Sequence, residues 1–136
     1  MNDKKIVIPI LRLFRDNNRF TRLPDGWVRD TLLGIEWGPS SDKIMNFKDA
    51  NKYCDELGGR LPDVSEMQTL IDYSKRDLAI NTQFFEDTKT DDWYWSGTVV
   101  AGDTGHAWCV YFSNGYVHSF YDKDGNNSVR PVRSSQ

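Results

Sequence analysis

The sequence predicts an α+β domain with early strands, two helices, a long loop, a hairpin and a final strand. Three observations carry that prediction. Two capped amphipathic patterns occupy residues 47–57 and 64–75. The apolar period switches from helical to two after residue 92. Asn114-Gly115, set between aromatic runs, is a strong hairpin signal. The 136 residues are one domain's length, so 1–136 is read as a single domain.

Ile6 to Phe14 is apolar and β-branched and reads as an N-terminal strand over 6–14, at an edge because Pro9 lacks a donor. Asp16-Asn17-Asn18 is a turn. Residues 19–37 hold short extended pieces broken at Pro24-Asp25-Gly26 and Gly34. The first helix has Asn46 as N-cap, Asp49 at N3, and an apolar stripe of Phe47, Ala50, Cys54 and Leu57. Gly58-Gly59 ends it. Asp63 and Glu66 form a capping box for the second helix, with Val64, Met67, Leu70 and Ile71 as its stripe. Residues 79–92 read as an irregular loop anchored by Phe84-Phe85. Strands are expected at 93–95, 107–112, 116–121 and 129–132. A two-residue turn at Asn114-Gly115 pairs Ser113 with Tyr116, Tyr111 with His118, and Trp108 with Tyr121. Trp108, Val110, Phe112, Val117, Ser119 and Tyr121 then face the core. Cys109, Tyr111, Ser113, Tyr116, His118 and Phe120 form the less apolar face.

Composition narrows the function. Aromatics make up 13% of the chain, which argues against disorder. No apolar run approaches the ~18 residues of a membrane helix, so membrane insertion is not expected. The net charge of −3 argues against a nucleic-acid partner. Residues 1–30 are nevertheless basic, with seven Lys/Arg against four Asp. The first apolar run is short, contains Pro9 and precedes Arg12, so no signal peptide is read. The expected setting is the cytoplasm or a phage particle. Cys54 and Cys109 are too few for a disulfide framework and are expected as free thiols, Cys54 in the core.

The chemistry of catalysis is poorly represented. His106 and His118 fit no Ser-His-Asp spacing and no His-Glu-x-x-His zinc motif. Asp122-Lys123-Asp124-Gly125-Asn126 begins like an EF-hand loop, but its twelfth position is Arg133 rather than Glu. A plain Asp-Gly turn is the expectation there. No enzyme, metal or cofactor is predicted.

The ordered motifs resemble a known family. They are Arg19-Phe20, Gly26-Trp27-Val28-Arg29-Asp30, Leu33-Gly34-Ile35-Glu36-Trp37, Ala50 with Tyr53-Cys54, Arg60-Leu61-Pro62 with Glu66, and Tyr94-Trp95-Ser96-Gly97-Thr98. Ala107 to Phe112, Asn114-Gly115 and Val129-Arg130-Pro131-Val132-Arg133 complete the series. In order and spacing, residues 19–133 resemble the Lcl C-terminal domain (DUF1566) family. The resemblance implies a C-type-lectin-like domain, two helices packed on a small twisted antiparallel sheet with long irregular loops. It implies a recognition domain for a macromolecular partner, protein or carbohydrate. A phage receptor-binding or tail-associated protein is one form of this expectation. An intracellular phage or mobile-element protein that modulates a host complex is another, and a structural homo-oligomer is a third. Many members carry a Cys where Pro131 stands, which leaves Cys54 without that bridge.

Trp37, Cys54, Arg60, Trp95, Trp108, Arg130 and Arg133 are expected to be structural. The arginines would pair with carboxylates that hold the loops. Contact with a partner is expected at Trp93, Tyr94, Asp103, His106, Tyr111, Tyr116, His118 and Asp124. This is the outward side of the terminal hairpin and the loop before it, because rigid Tyr and Trp suit recognition.

Overall fold

A computed structural model describes residues 18–135. The strand expected over 6–14 lies outside the described residues. In chain order the elements are β1 (Phe20–Arg22), β2 (Val28–Asp30), β3 (Ile35–Trp37), α1 (Phe47–Glu56) and α2 (Val64–Gln68), then β4 (Trp93–Val100), β5 (Asp103–Tyr111), β6 (Tyr116–Asp122) and β7 (Val132–Ser134). This is the α+β arrangement read from the sequence, with two helices and long loops. The strands form two antiparallel sheets rather than one. β1-β2-β3-β7 make a four-stranded sheet and β4-β5-β6 a three-stranded one.

The helix ends follow from local chemistry. The Asn46 side chain accepts the Asp49 N–H at 2.9 Å and opens α1. Gly59 N–H bonds the Cys54 carbonyl and Gly58 N–H the Asp55 carbonyl, a Schellman closure. Gly58 sits at φ +77, where a side chain would strain the backbone. Helix α2 is shorter than its stripe predicted, ending at Gln68 instead of 75. Thr69, Leu70 and Ile71 continue as turns, each N–H bonding the carbonyl three residues back. Leu70 still reaches the core, and the Thr69 carbonyl and hydroxyl are taken by Arg19.

The hairpin register also differs from expectation. Tyr111 pairs with Tyr116 and Val110 with Val117, so Phe112–Gly115 is a four-residue connection. The physical reason is competition for the Phe112–Ser113 backbone. Ala79 N–H takes the Phe112 carbonyl at 2.6 Å and Asp77 N–H the Ser113 carbonyl at 3.0 Å. The Phe112 ring turns into the core against Tyr94. A second irregularity lies further along. Cys109 pairs with His118 but Ala107 with Tyr121, so Ser119-Phe120 bulge opposite Trp108. The bulge moves Tyr121 to the face of Ala107 and Cys109. It leaves Trp108, expected in the core, partly exposed, with its carbonyl accepting the Ser96 hydroxyl.

Two cores result. The larger joins Val28, Ile35 and Trp37 to Met67, Leu70, Phe85, Tyr94, Val110 and Phe112. The smaller lies beneath α1 and joins Ala50, Cys54 and Leu61 to Trp95, Ala107, Cys109 and Val129. Cys109, placed on the less apolar face by the sequence reading, is therefore buried beside the α1 face that carries Cys54. Both thiols are free.

Candidate functional site

The motif arginines build scaffold. Arg19 grips Asp30 through Nε and Nη2 at 2.9 and 2.8 Å, and Trp37 Nε1 donates to the same carboxylate at 2.9 Å. Arg60 forms a two-pronged pair with Glu66 at 2.9 Å. Arg130, almost fully buried, donates to Asp87, Thr88 and the Gly38 carbonyl. Arg133 bonds Glu36 and Asp25, each at 2.7 Å, and its guanidinium lies 4.0 Å from the Trp27 ring centre. That bond from Arg133 holds the Asp25 carboxyl below its ordinary value. Trp37, Trp95 and Cys54 are buried.

One face of the β4-β5-β6 sheet is built differently. The register sets Trp93 beside Tyr111 and Tyr111 beside Tyr116, one row across three strands. The next row is Trp95, Cys109 and His118. Helix α1 covers the Trp95–Cys109 part of this face, with Phe47 edge-on to Trp95 at 5.5 Å. Beyond the helix the face opens. There the Trp93 ring lies 5.0 Å from Tyr111, 5.4 Å from His118 and 5.5 Å from Tyr121. Tyr116 meets His118 edge-on at 6.1 Å and is 58% exposed. The result is an aromatic platform whose rings are positioned by the strand ladder and by each other.

The remaining expected contact residues go elsewhere. Tyr94 is fully buried, because alternation along β4 turns it away from Trp93. Its hydroxyl accepts the Lys89 N–H at 2.8 Å and shares a 2.7 Å bond with Ser40 Oγ. Burial pushes the pKa of the Tyr94 phenol above its ordinary value. Asp103 and His106 lie at the other end of β5; for His106, five residues from Tyr111, that is roughly 17 Å along the strand, and Asp103 is farther. His106 Nδ1 is 2.9 Å from Asp103 Oδ2. That contact lowers the Asp103 carboxyl from its ordinary value. Asp124 is exposed in the turn after β6, where its N–H bonds Asp122 Oδ1 and Gly125 N–H bonds the Asp122 carbonyl. The loop is an Asp turn of the expected kind. The sequence reading thus named two places as one. Trp93, Tyr111, Tyr116 and His118 come together, and Asp103, His106 and Asp124 sit apart.

Two aromatic residues were missed. Tyr121 joins the platform only because of the bulge, which strict alternation cannot reveal. Tyr73, within the helical pattern expected over 64–75, stands in a loop, 73% exposed and against Gly115 at the hairpin tip.

The chemistry of this surface is contact. Burial pushes the Cys54 thiol up to about 12 and the Cys109 thiol up as well, so neither is a thiolate nucleophile near neutral pH. Among the described residues, no group of three or more His, Cys, Asp or Glu is placed to hold a metal ion. No described helix is long and apolar enough to cross a membrane.

Residues 26–133 match a protein family described as the Lcl C-terminal domain. No curated protein and no solved structure matches the chain.

Proposed function

We propose, from the premise that the chain belongs to the Lcl C-terminal domain family, that it is a non-catalytic binding domain that meets its partner on the Trp93–Tyr111–Tyr116–His118 platform. The observation that carries this is the half-covered sheet face. Helix α1 shields one end, and the other end keeps large rings at the surface. Rings already packed on one another lose little freedom on binding, and that favours their use as anchors. The partner is a protein or a carbohydrate, either of which can pack against exposed aromatic rings. The order of early strands, two helices and terminal hairpin supports a C-type-lectin-like relationship as part of this reading. The setting we propose is the cytoplasm or a phage particle, as a receptor-contacting protein or as a modulator of a host complex. Neighbouring genes separate those two roles.

The test is capture from a candidate host extract, comparing wild type with Tyr111→Ala/Tyr116→Ala. If these tyrosines are anchors, each truncation costs about 2 kcal/mol or more, roughly thirtyfold in Kd. A variant that is folded by circular dichroism and binds the captured partner as tightly as wild type moves the surface elsewhere.

A further inference from the structure

The loop between α2 and the buried Ala79-Ile80 pair carries a feature that the binding surface does not use. Tyr73, Ser74, Lys75, Arg76 and Asp77 are all exposed. The described chain has one other run of five consecutive exposed residues, 101–105, and it contains no Lys or Arg. The 73–77 run therefore joins a long exposed backbone to two adjacent basic side chains. Its backbone is also strained on the C-terminal side. Asp77 sits at φ 61 and Leu78 at φ 133, a region L-residues rarely adopt. Opening the loop relieves that strain, which works against the loss of the Asp72–Ala79, Lys75–Asp72 and Asp77–Ser113 backbone bonds and of the Ser74 bonds to the Asp72 carboxylate.

We infer that this loop is a proteolytic processing site for a protease that selects Lys or Arg, cut at Lys75–Arg76 or Arg76–Asp77, and that the cut chain stays assembled. The reaction is hydrolysis. Water adds its hydroxyl to the carbonyl carbon of Lys75 or Arg76. The C–N bond breaks, and the following nitrogen leaves as an amine, taking a proton. Both new ends remain fastened to the body of the domain. Leu70 is buried on the N-terminal side. Ala79 and Ile80 are buried on the other, and Ala79 N–H bonds the Phe112 carbonyl. The nearest competitor is Lys43, whose exposed run is only Asp42 to Ile44. Its flanks are pinned by the Ser41 hydroxyl on the Lys43 carbonyl and by paired Met45–Asn127 backbone bonds.

The experiment is limited digestion of the full chain with sparing trypsin, followed by mass spectrometry and size-exclusion chromatography. The expected first cut within residues 18–135 gives a C-terminal fragment that starts at Arg76 or Asp77. It co-elutes with the rest of the chain in a particle of the uncut size. Lys75→Gln/Arg76→Gln, with wild-type circular dichroism, slows that fragment's appearance tenfold or more. A first cut after Lys43 or elsewhere in 18–135 overturns the site. Separation of the fragments on the column overturns the claim that the nicked domain stays together.

Discussion

The two sheets hold their outer residues in opposite ways. In β1-β2-β3-β7, large polar side chains are closed by ion pairs, Asp30 on the core face beside Ile35 and Glu36 on the opposite face beneath Arg133. Arg19 and Asp30 are both buried, and Glu36 is buried beside Arg133. In β4-β5-β6, aromatic rings turn outward at the end that α1 leaves bare. The difference separates two uses of a motif. The Arg-Phe, Val-Arg-Asp and Trp motifs converge on one carboxylate, Asp30, and make the scaffold. The strands of the terminal hairpin spend their large side chains on the platform.

The most direct way to break this comparison is at Asp30. Its carboxylate accepts from Arg19, from the Leu32 and Leu33 N–H groups and from Trp37 Nε1. Asp30→Ala removes from the core the carboxylate that takes two Arg19 N–H groups, the Trp37 indole N–H and two backbone N–H groups, and the expected cost is about 3–5 kcal/mol by urea denaturation. Arg19→Met should cost less. The Asp30 carboxylate then retains two backbone N–H groups and the indole N–H. An equal or larger loss for Arg19→Met would show that the arginine, and not the carboxylate, is the hub.

A smaller effect sharpens the contrast between neighbours on β4. Trp93 faces the platform and Tyr94 the core. Tyr94→Phe keeps the ring but strands the Lys89 N–H and the Ser40 hydroxyl, both bonded to the phenol oxygen. The expected loss is about 1–3 kcal/mol in the same assay. A neutral result would mean that solvent reaches those groups and that this part of the core is not closed.

What the sequence made legible was local. The Asn46 cap, the Gly58-Gly59 stop and the Asp63–Glu66 box act within a few residues, and each has its partner in the fold. The inward and outward sides of the hairpin near its tip were also legible, because a two-residue register shift preserves alternation. What escaped depended on distant chain. The Asn114-Gly115 turn lost its two-residue geometry to Ala79 and Asp77, more than thirty residues away in sequence. Helix α2 stopped early at a Thr69 claimed by Arg19, a contact fifty residues long. The platform was half visible for the same reason. Trp93, Tyr111, Tyr116 and His118 follow from alternation, while Tyr121 needs the Ser119-Phe120 bulge and the exclusion of Asp103 and His106 needs the length of β5.

The smallest expected effect separates the charged scaffold from the aromatic face by pH. Asp87 sits between Arg130 and the Ser40 N–H, at 2.7 and 2.8 Å. Burial acts to raise its pKa, and the Arg130 charge and the two hydrogen bonds outweigh it and hold the carboxyl below the ordinary value. A carboxyl lowered by folding contributes its stability fully above its unfolded value, about 4. That contribution falls away as pH drops through the folded value. The side chain of Asp87 is 41% exposed, so solvent screens the pair and the contribution is about 1 kcal/mol or less. Urea midpoints at pH 7, 4 and 3 for wild type and Asp87→Asn measure it. The gap between the two proteins should be largest at pH 7 and close toward pH 3. A gap that stays constant across that range would assign the Asp87 contribution to hydrogen-bond shape alone, which Asn can partly keep, and not to its charge beside Arg130.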